Sequence, residues 1–133
     1  MSRVFVDTSA IYALLVVEDD RHDQAKSMLA SLQQEPVSLV STSFVVQEAT
    51  ALLQARIGIL AVRTFHQHVV PAIEIEWVES VRYERAMLAL LAANSREVSL
   101  TDWTSFDCMR QRGIDRAFAF DTHFAAQGFT LVS

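Results

Sequence analysis

The segment "RVFVDTS", residues 3–9, decides the fold of this chain. Its first four residues, Arg3 to Val6, form a short run that predicts a buried strand. Asp7 follows directly, and the next apolar run, Ser9–Val17, predicts a short helix. A carboxylate at this position either caps that helix or binds a metal ion. The segment alone favours the cap, because Asp is one of the preferred N-cap residues.

Segments typical of strands and helices alternate along the rest of the chain. The predicted strands are Arg3–Val6, Val37–Val40, Ala72–Val78, 117–120 and Phe129–Val132. The predicted helices are Ser9–Val17, one around Ala25–Leu32, Phe44–Arg56, Leu60–Val69, one from about Glu79 through Leu91, and Asp102–Arg112. This alternation predicts an α/β domain with a largely parallel sheet and helices on both faces. In such sheets the binding crevice lies at the carboxyl ends of the strands, where Asp7 and Asp121 are expected.

Length and composition are those of one globular domain, residues 1–133. Hydrophobic residues make up 51% of the 133 residues and charged residues 20%. No apolar run approaches the roughly 20 residues that span a bilayer, and the N-terminus has no signal-peptide core. A lone cysteine, Cys108, excludes an internal disulfide and a cysteine-based zinc cluster. We therefore expect a cytoplasmic protein without a membrane segment.

The charge balance is acidic, with 11 basic and 16 acidic residues and a net charge of −5. Such a chain is not an obvious nucleic-acid binder, because phosphate contacts normally leave a basic footprint. That objection weakens if some of the acids cluster in one site and hold cations. The arginines then remain available for a local patch, and Arg110, Arg112 and Arg116 are candidate phosphate contacts.

Four carboxylates stand out, and capping explains three of them individually. Asp7, Asp102 and Asp121 each precede a helical stretch, where Asp is favoured by about 1 kcal/mol over Ala. Glu48 is different, because it lies inside the predicted helix Phe44–Arg56 on the apolar stripe that faces the core. An ionised carboxylate buried there without a partner costs several kcal/mol. Either Glu48 lies at the edge of the stripe and reaches water, or it belongs to a site.

One site for all four acids is the economical explanation. Like charges about 4 Å apart repel by ~4 kcal/mol at an effective dielectric near 20, so convergence demands a cation. All-oxygen ligation suits Mg²⁺ or Mn²⁺, and a site of that kind hydrolyses phosphodiesters without a nucleophilic side chain. Asp107 lies about 140° around its helix from Asp102 and is assigned to the surface.

At these residues the sequence resembles the PIN-domain family, and within it the VapC-type toxin ribonucleases. The matching segments are "VFVDTSAIYALL" at 4–15, "TSFVVQEATALL" at 42–53, "SLTDWTSFDCM" at 99–109 and "AFAFDTHFAAQGF" at 117–129. The resemblance implies a three-layer α/β/α sandwich around a parallel sheet of about five strands in the order 3-2-1-4-5. In that order strands one and four are neighbours, which would bring Asp7 and Asp121 together.

The resemblance also implies roles for individual residues. The acidic quartet of the family falls on Asp7, Glu48, Asp102 and Asp121, as catalytic residues and metal ligands. Ser9 matches a small hydroxyl that typically supports the metal or its water. Many members have a further acid two residues after the last Asp, where this chain has His123, and that departure leaves the choice between one and two ions open.

The activity implied by the resemblance is Mg²⁺- or Mn²⁺-dependent cleavage of RNA by a homodimer. A cognate antitoxin protein would hold the toxin inactive by entering the acidic groove. The alternative is a PIN-like protein that binds RNA or acts as a scaffold without catalysis. Degenerate members of that kind usually lose one or more of the acids, whereas this chain keeps all four.

Overall fold

Five strands form one parallel sheet in the computed structural model, which describes residues 2–133. The strands are β1 (Ser2–Val6), β2 (Val37–Thr42), β3 (Glu74–Glu76), β4 (Arg116–Phe118) and β5 (Thr130–Leu131). The helices are α1 (Thr8–Leu15), α2 (His22–Gln33), α3 (Ser43–Arg56), α4 (Ile59–Thr64), α5 (Ser80–Ala93), α6 (Leu100–Arg112) and α7 (His123–Ala126).

The order of the sheet is β3-β2-β1-β4-β5, with every pair of neighbouring strands parallel. This confirms the predicted fold class and strand order. β1 is the central strand, and its Phe5 lies opposite Val40 of β2 and Ala117 of β4. The carboxyl ends of β1, β2 and β4 therefore meet at one edge, and the buried Ser41 hydroxyl donates to the Val6 carbonyl there at 2.7 Å.

Helices cover both faces of β1. Successive side chains of a strand point to opposite faces, yet Val4, Phe5 and Val6 are all at most 2% exposed. An aromatic cluster packs on one face, where the Phe124 ring lies 6.1 Å from Phe5 and 5.0 Å from Phe106. Burying a side chain of this size contributes roughly 1.5–3 kcal/mol, so β1 is anchored by its own apolar residues.

The segment between α3 and β3 departs from the prediction of one helix over Leu60–Val69. Helix α4 ends at Thr64, and the chain continues through a wide π-type turn, Phe65–Val69, and one 3₁₀ turn, Val70–Ala72. Pro71 contributes to the change, because it lacks a backbone N–H and cannot continue the hydrogen bonds of an α-helix. The last N–H before it, that of Val70, bonds to the Phe65 carbonyl in the π-type turn. The predicted strand Ala72–Val78 is correspondingly shorter and covers only Glu74–Glu76.

Within residues 2–133, no helix is long and apolar enough to cross a membrane.

Charged side chains join β3, α5 and α6 in one network. Arg82 of α5 donates to Glu76 at 2.6 Å and to Asp107 at 2.9 Å, and all three side chains are at most 17% exposed. Arg112 also contacts Glu76, at 3.1 Å. The assignment of Asp107 to the surface was wrong, because α5 packs against α6 and covers that side of the helix with arginines.

We expect Arg82→Met to destabilise the protein by roughly 3 kcal/mol near pH 7, because it removes the one arginine that binds both largely buried carboxylates and leaves each of them with a single, more exposed arginine. Hydrogen bonding to Arg82 lowers the pKa of Glu76, which means that the ion pair stabilises the fold above the unfolded pKa of that carboxyl. The destabilisation should therefore shrink as the pH falls below about 4.5.

Urea unfolding of the wild type and variant at several pH values measures this effect. Arg85→Met is the matched control, because Arg85 contacts the same Asp107 at 3.1 Å but is 44% exposed. We expect the control to cost under about 1 kcal/mol. Equal losses for both variants would contradict the role given to Arg82.

Candidate metal centre

Asp7 ends β1, and it caps α1 as the sequence suggested. The Ser9 N–H and the Ser9 hydroxyl both donate to Asp7 Oδ2, at 3.2 and 2.7 Å. Asp7 is only 3% exposed, so the carboxylate is buried at the edge of the sheet. No hydrogen bond reaches Asp7 Oδ1 from any of residues 2–133, which leaves that oxygen available as a ligand.

The Ser9 hydroxyl also binds the segment that follows β4. It accepts the Phe120 N–H at 2.9 Å while it donates to Asp7. The predicted strand at 117–120 therefore ends early, at Phe118, because the Phe120 N–H serves Ser9 instead of a strand. One hydroxyl thus fixes the carboxylate of Asp7 and the chain that leads to Asp121.

Asp102 occupies the first turn of α6 but is not its N-cap. The helix begins at Leu100, and Ser99 caps it by accepting the Asp102 N–H at 3.1 Å. Asp102 Oδ2 in turn accepts the Ser99 N–H at 3.2 Å, which completes a capping box. The prediction that Asp102 precedes the helix was wrong by one turn, although its side chain still reaches the site.

Asp121 and His123 complete the cluster at this edge. Asp121 lies three residues beyond β4 and accepts the His123 N–H at 3.0 Å. It is not the N-cap of α7, because Thr122 occupies that position. His123 Nδ1 lies 3.5 Å from Asp102 Oδ2 and 3.9 Å from Asp121 Oδ1. One ligand atom from each of Asp102, Asp121 and His123 can be chosen so that all three lie within 4.8 Å of one another.

Glu48 lies half-buried on α3, whose buried positions are Val45, Ala49 and Leu53. It forms no hydrogen bond or ion pair with other residues between 2 and 133, but it is only half-buried, so its charge reaches water at the edge of the apolar stripe. Its charge nevertheless acts on Asp102. Glu48 therefore lies beside the cluster, at the border of the core.

The carboxylates at this edge repel one another through a poorly solvated region. Burial is the largest cause that raises the pKa of Asp7 to about 7; the charges of Asp121 and Asp102 act in the same direction, and the hydrogen bonds from Ser9 act against them. Burial also raises the pKa of Asp102, with contributions from Asp121 and Glu48, against the backbone hydrogen bond from Ser99. Asp7, Asp102 and Asp121 thus interact electrostatically, and the charge of Glu48 acts on Asp102.

These residues fit a divalent cation. His123 Nδ1 is buried and has no hydrogen-bond partner in residues 2–133, although it faces two carboxylates. Carboxylates suit Mg²⁺ and Mn²⁺, and an imidazole nitrogen is a further transition-metal ligand. The ligand set predicted from the sequence did not include His123. The signal for it was its position two residues after Asp121, where the resemblance implies a further acid.

The three arginines predicted to contact phosphate are used inside the protein. Arg110 donates to Gln127 at 2.8 Å, Arg112 to Glu76 at 3.1 Å, and Arg116 to Glu35 at 3.1 Å. Arg112 and Arg116 thus have carboxylate partners, whereas Arg110 has only an amide partner and is exposed. Phosphate contact by these three arginines stays a prediction.

Residues 4–129 match the family described as PIN domain. The chain belongs to the PIN domain family. This PIN domain is 37% identical over 130 residues to the 23S rRNA-specific endonuclease VapC20 of Mycobacterium tuberculosis, and the match covers 97% of each chain.

Solved structures of the same fold extend the comparison. The crystal structure of Mycobacterium tuberculosis VapC20, described as a sarcin–ricin loop cleaving toxin, gives a TM-score of 0.86 at 35% identity and covers 96% of each chain. FitAcB of Neisseria gonorrhoeae gives a TM-score of 0.68 at 16% identity, over 98% of this PIN domain and 96% of that chain. The second likeness concerns the fold alone.

Proposed function

We propose that this protein is a metal-dependent endoribonuclease, the toxin of a toxin–antitoxin pair. The observation that carries the proposal is the meeting of Asp102, Asp121 and His123 at the carboxyl edge of the sheet. Asp7 lies outside that cluster, but its buried carboxylate interacts electrostatically with Asp121 and Asp102. The likeness to VapC20 over 97% of the chain supports RNA as the substrate. By the same likeness, we propose the sarcin–ricin loop of 23S rRNA as the cleaved segment.

The site residues divide into metal ligands and Ser9, which orients one of them. Asp7, Asp102 and Asp121 would hold Mg²⁺ or Mn²⁺. Glu48 would add negative charge near the ion, and His123 would offer a nitrogen ligand. A bound divalent cation would lower the pKa of a coordinated water for attack on phosphorus and stabilise the charge of the displaced oxygen. Ser9 keeps the Asp7 carboxylate in one orientation, because it occupies Oδ2 with two hydrogen bonds.

The proposal includes protein partners. An antitoxin that presents an arginine could pair bidentately with carboxylates of this edge, which would block both metal and RNA. A homodimer is proposed as well. It is supported by exposed apolar side chains on α5, of which Leu88 and Leu91 are 69% and 67% exposed.

Cleavage of rRNA tests the proposed activity. We expect the purified protein with Mg²⁺ or Mn²⁺ to cut 23S rRNA in ribosomes at one position in the sarcin–ricin loop, mapped by primer extension. EDTA should abolish the cut, and added Mn²⁺ should restore it, because the carboxylates repel the RNA phosphate when no cation is bound. Cleavage that persists in excess EDTA would contradict the metal centre, and the absence of any cut would contradict the nuclease.

A further inference from the structure

A pocket of about 300 Å³ lies directly beside the metal centre. Ser9 and Phe120 line it, and these residues also form the hydrogen bond that fixes Asp7. Tyr12, Asp19, Arg21 and Arg56 line it as well. We refer to these six residues as the arginine pocket. A group bound there would be the direct neighbour of a group bound at Asp7.

Both guanidinium groups of the arginine pocket are held over aromatic rings. The Arg21 guanidinium carbon lies 5.2 Å from the centre of the Phe120 ring, and Arg21 Nη1 donates to the Phe120 carbonyl at 2.7 Å. The Arg56 guanidinium carbon lies 5.5 Å from the centre of the Tyr12 ring. Stacking of this kind holds the guanidinium in position before a ligand binds and leaves some of its N–H groups available to donate hydrogen bonds.

Neither arginine has a carboxylate partner among residues 2–133. This separates them from Arg82, Arg85 and Arg112, each of which pairs with an acid. Asp19 is the one carboxylate of the arginine pocket, and its Oδ2 accepts the backbone N–H of Arg21 at 3.0 Å. The arginine pocket therefore has an excess of one positive charge, although the whole chain carries −5.

Two guanidinium groups without a carboxylate partner indicate an anionic ligand. Guanidinium donors match the geometry of phosphate oxygens, and phosphate contacts provide most of the affinity of proteins for nucleic acids. When a polyanion binds an acidic protein, positive charge along the path of the polyanion's backbone increases the affinity and the rate of association. The arginine pocket provides that charge next to the carboxylates and shares Ser9 with them.

We propose that Arg21 and Arg56 bind the backbone phosphate of the nucleotide next to the one cleaved at the metal centre. This inference rests on the proposed ribonuclease function and adds the part of the substrate that these two side chains bind. Because they contact phosphate and not base edges, they should strengthen binding of many RNA sequences alike.

Binding of a fluorescent sarcin–ricin stem–loop RNA tests the inference, measured by anisotropy in the Asp7→Asn background with Mg²⁺. We expect Arg21→Gln and Arg56→Gln each to weaken binding roughly tenfold, since each removes a charge-assisted hydrogen bond. The slope of log affinity against log salt should become shallower by about 0.7 for each variant. Arg63→Gln is the matched control, because Arg63 is exposed and does not line the arginine pocket.

A single neutral methylphosphonate, placed in turn at each linkage around the cleaved one, locates the phosphate. At one linkage the methylphosphonate should weaken binding to the wild-type protein. The same methylphosphonate should have little further effect on the double variant Arg21→Gln/Arg56→Gln, because both changes remove the same contact. Arg56→Gln carries the test if Arg21→Gln fails to fold, because Arg56 makes no hydrogen bond to backbone in residues 2–133.

The inference is overturned if both glutamine variants bind RNA like Arg63→Gln while the wild-type protein cleaves rRNA. That result leaves the proposed function intact. A wild-type protein that neither binds nor cleaves RNA overturns both.

Discussion

Asp7→Asn is expected to lower the rate of RNA cleavage at least about a hundredfold while the protein stays folded. Asparagine keeps an oxygen that accepts both hydrogen bonds from Ser9, which now go to Oδ2 at 3.2 and 2.7 Å. It lacks the negative charge that a divalent cation requires of its ligands. Loss of one such electrostatic contribution at a reacting centre typically costs a factor of about a hundred to a thousand or more.

Steady-state cleavage of a sarcin–ricin stem–loop RNA at saturating Mn²⁺ measures the effect, and circular dichroism reports the fold. Asp115→Asn is the matched control, because Asp115 is exposed in the turn between α6 and β4. The control should cleave like the wild type. If Asp7→Asn retained a tenth of the wild-type rate, Asp7 could not be a ligand on which cleavage depends.

Glu48→Gln extends the same test to the acid that capping does not explain. Glu48 has no hydrogen bond or ion pair with residues 2–133, so its amide should leave the fold intact and still abolish cleavage. Unfolding of Glu48→Gln in metal-free buffer would instead assign Glu48 a structural role.

The metal-free protein should lose stability as the pH rises from about 4 to about 7, and Asp7→Asn should remove most of that loss. Burial raises the pKa of Asp7 to about 7, against 3.8 for an unperturbed Asp. The folded state therefore binds more protons than the unfolded state between these values. Stability is greatest below the unfolded pKa and is lost as the pH rises through the folded one. A difference of about three units between the folded and unfolded pKa of Asp7 corresponds to roughly 4 kcal/mol of stability.

Urea unfolding in EDTA at intervals between pH 4 and pH 8 measures the difference in the free energy of unfolding between Asp7→Asn and the wild type. The variant should be the more stable protein at pH 8, and the two should converge near pH 4. Saturating Mn²⁺ should stabilise the wild type selectively, because a ligand that binds only the folded state adds to its stability. A constant difference across the pH range would contradict the raised pKa.

The sheet and the general position of the site were predictable because they depend on local patterns. The apolar run from Arg3 to Val6 and the acid after it place Asp7 at the carboxyl end of a central strand, where the structure has it. The cap of α6 was also readable, since Ser99 and Asp102 have the spacing of a capping box. The prediction instead gave the cap to Asp102 itself, which is the third residue of α6.

Other features depend on residues that are distant in sequence. Arg82 and Asp107 are 25 positions apart, and Arg116 and Glu35 are 81 apart, so neither ion pair could be predicted from spacing. The packing of His123 against Asp102 requires α7 to fold back over the start of α6. The arginines that stay unpaired could be identified only after the paired ones were known.

The hydroxyl of Ser9 joins two parts of the chain that the ribosome produces at very different times. Its partner Phe120 comes 111 residues later, and β1 pairs with β4 only through Phe118 and Ala117. A nascent chain that ends before these residues has β1 without one neighbour and Asp7 without Asp121. The centre is thus assembled only after residues 117–121 have been synthesised, so a chain truncated before them would carry Asp7 and Glu48 without Asp121.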